Sequence, residues 1–139
     1  MKIRKYETTD IPTLANIYFY SRSETFNWMP DGTFKLRDFF ADTLGEEIHV
    51  ILDGNNIAGF ISIWKADNFI HHLYIDSKYQ NKGYGKTLLQ YALKTIGRPA
   101  SLKCVVKNDK AVRFYKSHGW KIEETGNDEM GPFYLFVYN

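Results

Sequence analysis

Between the apolar run Phe69–Ile75 and an amphipathic segment that begins near Tyr84 stands the string Gln80-Asn81-Lys82-Gly83-Tyr84-Gly85-Lys86. No other stretch narrows the folds open to this chain so much. The run before it is β-branched and aromatic and reads as a strand. The segment after it, from Tyr84 to about Ile96, places Leu88, Leu89, Ala92 and Leu93 on one helical face. Gly97-Arg98-Pro99 breaks that helix, and Leu102–Val106 reads as the next strand. A strand, a helix and a strand in this order need a crossover, which makes the two strands parallel and the connection right-handed. Two glycines leave the backbone bare where the helix starts. Taken alone, the string is either a tight turn or a set of N–H donors at the positive end of a helix dipole, suited to a pyrophosphate, with Lys82 and Lys86 adding charge.

The elements around this unit are of another kind. Lys2–Tyr6 reads as a strand, and Thr8, Thr9, Asp10 and Pro12 open a helix that carries Ile11, Leu14, Ile17 and Tyr18. An aromatic loop, Ser21 to Gly32, leads to a second helix predicted from Thr33 to Leu44. Glu47–Leu52 and Ile57–Lys65 flank Asp53-Gly54-Asn55-Asn56 and read as a hairpin, which Phe69–Ile75 extends to a three-stranded meander. Downstream, a helix from Asp109 to His118 is followed by strand Trp120–Glu124, a loop over Thr125–Gly131 and strand Phe133–Tyr138. The expected architecture is an α/β domain over residues 1–139: a mixed, mostly antiparallel sheet with a central parallel pair and flanking helices.

Downstream of the glycine loop the chain carries Asn108-x-x-Ala111-x-x-Phe114-Tyr115-x-x-x-Gly119-Trp120. With this second motif in order, the sequence resembles the GNAT superfamily of N-acetyltransferases. The family pattern Gln/Arg-x-x-Gly-x-Gly/Ala matches Gln80, Gly83 and Gly85; the later pattern matches at Asn108, Ala111, Phe114-Tyr115 and Gly119-Trp120, with Trp120 where Phe is usual. The closing Gly131-Pro132-Phe133-Tyr134 is similar to small bacterial members. The resemblance implies acetyl-CoA as cosubstrate, its pantetheine arm lying where the parallel strands splay. Leu73, Tyr74 and Ile75 would then bond that arm through the backbone. Gln80, Asn81, Lys82, Gly83, Tyr84, Gly85 and Lys86 would hold the pyrophosphate, and Asn108, Ala111, Phe114 and Tyr115 would line the other wall.

Acetyl transfer to an amine needs a neutral nucleophile, and for a lysine-like amine of pKa about 10.4 roughly one molecule in a few thousand is neutral at pH 7. A base must take a proton, and an acid must protonate the leaving thiolate. Tyr115 is the candidate acid, and a backbone N–H near Leu73 the candidate oxyanion donor. The Glu that some members carry in this strand falls at Phe69 and is missing. In the serotonin-type arylalkylamine acetyltransferases a His stands at the position of His71, and strand alternation puts His71 on the face of Leu73. Glu24 and Asp31 compete for the role. Cys104 lies in mid-strand and reads as a small buried hydrophobe, which favours direct transfer over an acetyl-cysteine.

The acceptor amine is expected against the loops Ser21–Gly32 and Thr125–Gly131. Glu24, Phe26, Trp28 and Tyr134 head the candidates for its wall, with Tyr18, Tyr20, Tyr138, Asp31, Asp128 and Glu129 behind them. Eighteen basic and sixteen acidic residues, net charge +2, are scattered without a basic face, so no nucleic-acid partner is expected. Neither a signal peptide nor a membrane span is read, and one cysteine makes no internal disulfide, so the expected compartment is the cytoplasm. No metal site is expected, and pairing of the last strand across a homodimer is left open. Two other readings stay beside the transferase. One is an acyl-CoA-binding module without turnover. The other is a different nucleotide-binding domain, against which the loop lacks the Gly-Lys-Ser/Thr ending of a P-loop.

Overall fold

The computed structural model describes all 139 residues. In chain order the elements are β1 (Lys2–Lys5), α1 (Ile11–Thr25), α2 (Asp38–Asp42), β2 (Glu47–Asp53), β3 (Asn56–Trp64), β4 (Phe69–Ile75), α3 (Tyr84–Thr95), β5 (Ala100–Val105), α4 (Asp109–Ser117), β6 (Lys121–Asp128) and β7 (Gly131–Tyr138). The seven strands form one sheet in the order β1-β2-β3-β4-β5-β7-β6. Only β4 and β5 run parallel; every other neighbouring pair is antiparallel. No helix is long and apolar enough to cross a membrane.

The parallel pair is short. Phe69 pairs with Ser101 and Ile70 with Leu102, and there the ladder ends. On its other side β4 stays paired with β3 as far as Ile75 opposite Gly59, while β5 stays paired with β7 out to Val105 opposite Phe133. Each strand is thus held by its antiparallel partner while the two diverge from each other, and the sheet opens at its centre.

Apolar side chains cover the two faces separately. Under α3 and α4, a cluster includes Ile61, Ile63, Ile70, Leu88, Leu89, Leu102, Val112, Tyr115 and Phe136. Under α1 and α2, Leu14, Ile17, Tyr18 and Phe39 pack on Ile48, Val50 and Phe60. β-Strand alternation explains the division, interrupted where the register slips between β2 and β3, between β6 and β7, and between β3 and β4. The register between β3 and β4 slips after Ser62: Ile70 faces Ile63 and His72 faces Ser62, so His71 has no partner on β3. This bulge resets the alternation.

Three expectations are corrected. The second helix, expected over Thr33–Leu44, is only α2, because the segment has almost no apolar face to bury. Phe39 is buried, whereas Leu36, Phe40 and Leu44 are exposed. The Asp38 carboxylate accepts the Lys35 N–H (2.9 Å) and closes a turn before the helix. Helix α1 runs to Thr25 and takes in the start of the expected aromatic loop, because Arg22 is buried on the Tyr18 ring (3.7 Å) and hydrogen-bonds the Tyr18 carbonyl (3.2 Å). The expected loop Thr125–Gly131 is mostly strand. β6 and β7 pair to Asp128 opposite Gly131, and Gly131 takes the positive φ (+112°) that the tight connection needs.

Candidate active site

Where β4 and β5 part, a cleft of about 450 Å³ opens between the end of β4, the glycine loop and α4. Leu73, Tyr74 and Ile75 form its floor. Gln80, Asn81, Gly83, Tyr84, Gly85 and Lys86 form one end, and Asn108, Ala111, Phe114 and Tyr115 the far wall. These are the residues expected at a cofactor site, with one exception. Lys82 is not on the wall; its ammonium lies over the Tyr79 ring (6.0 Å).

The chemistry at the loop end comes from the backbone. The helical ladder of α3 first closes with the Thr87 N–H on the Gly83 carbonyl (3.1 Å), and no side chain caps the helix. The N–H groups before Thr87 therefore have no acceptor within the helix, and the helix dipole adds positive potential there. Gly83 sits at φ +90°, a conformation that favours glycine. Gly85 has no such need. A Cβ there would lie 3.7 Å from both Ile75 and Phe114, at ordinary contact distance, so the fold tolerates it. What that Cβ would occupy is space between two cleft walls. A bare backbone facing a cleft, with uncapped amides beside it, fits the pyrophosphate and arm of acetyl-CoA.

Helix α4 builds its wall by helical spacing. Asn108 caps it, accepting the Ala111 N–H (3.4 Å), so that residue also has a purely structural use. Ala111, Phe114 and Tyr115 follow on one face. The same face carries Lys110 and His118, which also line the cleft and which motif reasoning passed over. The three-and-four spacing 110, 111, 114, 115, 118 was the available signal. Ser21 and Thr25 of α1, together with Tyr79, complete the lining; nothing local in the sequence ties α1 to this cleft.

Tyr115 is buried among Phe114, Trp120 and Phe136. Burial, and then the nearby Cys104 and Tyr74, push its phenol well above the ordinary tyrosine range, so it holds a proton. The only fully buried side-chain polar atom without a hydrogen-bond partner is Trp120 Nε1. Tyr115 lines the cleft, and no protein group hydrogen-bonds its hydroxyl. Burial pushes the Cys104 thiol up to about 12 and the Tyr74 phenol likewise to about 12. A thiol so protonated is a poor nucleophile.

The opposite face of β4 is polar. Because of the bulge, His71 does not share the face of Leu73, as alternation predicts. Leu73 packs toward α3, whereas the His71 and His72 rings stack face to face (3.9 Å) on the α1–α2 side. His71 Nδ1 hydrogen-bonds the Glu46 carboxylate, which also accepts from the Ser62 hydroxyl. His72 Nε2 donates to the Asp42 carbonyl (3.1 Å), and desolvation pulls this imidazole down to about 3. Beside it, the Tyr18 hydroxyl donates to Asp42 (2.6 Å), and Arg22 pairs with Asp38 (3.2 Å) and Asp42 (3.7 Å).

The residues expected around the acceptor fall in three places. Phe26 and Trp28 meet edge to face (5.5 Å); Trp28 Nε1 donates to the Met130 carbonyl (3.1 Å) and Lys107 lies over its ring (5.1 Å). This joins the segment after α1 to the β6–β7 turn. Glu24 is in α1 and lines a separate polar hollow with Asn16, Ser21, Asp76 and Lys78. Tyr134, opposite Cys104, packs into the α3–α4 cluster edge to face with Phe136 (6.0 Å).

The sequence matches the model of the acetyltransferase (GNAT) family over residues 13–120. No curated protein matches it. Among solved structures it is similar to apo YjaB of Escherichia coli, at 20% identity and TM-score 0.79, covering 99% of this chain and 96% of that one. It is similar to the PaiA N-acetyltransferase of Thermoplasma acidophilum in complex with coenzyme A, at 21% identity and TM-score 0.78, covering 99% and 98%. A third likeness is to YncA of Salmonella typhimurium, a putative acetyltransferase solved with acetyl-CoA, at 17% identity and TM-score 0.75, covering 99% and 92%.

Proposed function

Because the chain belongs to the acetyltransferase (GNAT) family, we propose that it is an N-acetyltransferase that moves an acetyl group from acetyl-CoA to a primary amine by direct transfer in a ternary complex. The observation that carries this reading is the uncapped start of α3, with Gly85 leaving bare backbone between Ile75 and Phe114. The amides there bind pyrophosphate, and the free edge of β4 at Leu73–Ile75 takes the arm in place of the missing β5 ladder.

In the reaction the amine nitrogen bonds to the acetyl carbon, the C–S bond breaks, the thiolate takes a proton from Tyr115, and the amine loses one to a base. Tyr115 holds its proton at neutral pH, and its hydroxyl is the proposed donor to the leaving thiolate. A Leu73 N–H is the proposed donor to the developing oxyanion. His71, backed by Glu46, is the proposed base; because it lies on the α1–α2 side of β4, the proton would leave on the face opposite α3. The raised thiol of Cys104 supports transfer without an acetyl-cysteine. The acceptor would enter beneath Trp28 and the β6–β7 turn.

The test is release of free thiol from acetyl-CoA against a panel of lysine peptides, N-terminal peptides, polyamines, arylalkylamines and aminoglycosides. Acceptor-dependent release that falls about 100-fold or more in Tyr115→Phe, with acetyl-CoA raising the Tm of both proteins alike, is expected. Acetyl-CoA stabilisation with no release from any amine would favour a binding module instead. Absence of both stabilisation and release would overturn the reading.

A further inference from the structure

The bulge in β4 does more than turn His71 away from Leu73. Two consecutive strand residues normally point to opposite faces, and here both imidazoles lie side by side, stacked at 3.9 Å with 25° between their planes. A carboxylate from a different segment, Glu46 in the turn before β2, meets them. One candidate ligand atom from each of Glu46, His71 and His72 lies within 4.8 Å of the others. We propose that these three residues form a binding site for a divalent transition-metal cation of the Zn²⁺ type.

The donor chemistry fits such an ion. Two imidazoles and one carboxylate are the ligand set of zinc sites that keep a position open. His72 is already arranged as a ligand. The Asp42 carbonyl can only accept, so the His72 proton is on Nε2, and Nδ1 carries a lone pair that no protein donor reaches. A carbonyl holding the far N–H is the usual partner that orients a ligating histidine. Glu46 is oriented likewise: its side chain is only 6% exposed, and the Ser62 hydroxyl donates to one of its oxygens. The other oxygen faces His71. The His71 side chain is 43% exposed and provides both the entry path and the freedom to adjust. On tetrahedral zinc with bonds of about 2.0–2.1 Å, neighbouring donors lie about 3.3 Å apart, so binding requires the exposed His71 ring to swing out of its stack on His72 until both lone pairs converge.

Occupancy would tie up the His71 lone pair. That consequence for the transferase rests on the assignment of His71 as base; the site itself does not, and its test needs no acceptor and no turnover.

The experiment is titration of the full-length protein with Zn²⁺ in competition with a chromophoric chelator, and with Co²⁺ followed by visible absorption. Wild type is expected to bind one ion per chain at micromolar affinity or tighter and to give the absorption band of four- or five-coordinate Co²⁺. His71→Ala and Glu46→Gln are each expected to weaken binding tenfold or more while keeping the Tm increase caused by acetyl-CoA, which shows that both variants fold. Absence of stoichiometric binding in wild type would overturn the proposal. So would binding that is unchanged in both variants, since the ion would then sit elsewhere.

Discussion

The two faces of β4 are built by opposite means. Toward α3 and α4, the strand offers a cleft whose important groups are main-chain: the edge of Leu73–Ile75 and the amides that precede Thr87. Toward α1 and α2, the same strand offers side chains, with His71, His72, Glu46, Tyr18, Arg22 and Asp42 gathered from four segments. A backbone site needs glycines and a helix start at fixed spacing, and these are local features. A side-chain site needs partners that only the folded chain brings together. The first kind of site can therefore be kept by sequences of low identity, whereas the second depends on each of its side chains.

If the two faces are separable, damage to one should spare the other. Arg22 gives the larger effect. Its side chain is 7% exposed, and it holds Asp38 and Asp42 while stacked on Tyr18. Arg22→Ala should cost about 2–3 kcal/mol in chemical denaturation, because it strands two carboxylates and opens a gap. Calorimetry should find acetyl-CoA affinity unchanged. A matching loss of affinity would mean that the faces are coupled through α1, whose Ser21 and Thr25 reach the cleft.

A smaller effect is expected at the far end of the same helix. Asp10 accepts the Glu7 N–H (2.7 Å) and two bonds from the Arg4 guanidinium (2.7 and 3.1 Å), and Arg4 holds its carboxyl below the ordinary 3.8. A carboxyl depressed in the fold adds stability above its unfolded pKa, and that stability is lost as pH falls through the folded value. Asp10→Asn should cost about 1 kcal/mol at neutral pH. The gap to wild type should close below pH 3.8, as followed by Tm against pH. A gap constant with pH would assign the loss to packing.

The difference between the faces also sets what the sequence discloses. The β4–α3–β5 unit, the glycine loop and the α4 wall were readable because periodicity, breakers and motif spacing are local. Lys110 and His118 were within reach of the same helical arithmetic. The bulge was not: it is a mismatch of two residues against one between β3 and β4, and neither strand carries it alone. For that reason His71 and Leu73 were expected on one face. Nor was the burial of Arg22 readable, since its partners lie in and beside α2 and draw α1 five residues beyond its expected end. The expected helix over Thr33–Leu44 shows the converse: helix-compatible residues without a face to bury make one turn and a little more.

The central claim is that the glycine loop is a cradle for acetyl-CoA rather than a turn, and Gly85→Ala tests it with effects of opposite sign. Gly85 lies in the first turn of α3 without positive φ, and a methyl there meets Ile75 and Phe114 at an unstrained 3.7 Å. Alanine in a helix is favoured over glycine by up to about 1 kcal/mol, so the free protein should be as stable as wild type or slightly more so. The methyl would stand where the cosubstrate needs bare backbone, so calorimetry should find acetyl-CoA bound about tenfold more weakly, about 1.4 kcal/mol. Affinity equal to wild type in a protein of equal stability would contradict the account and leave the loop a turn.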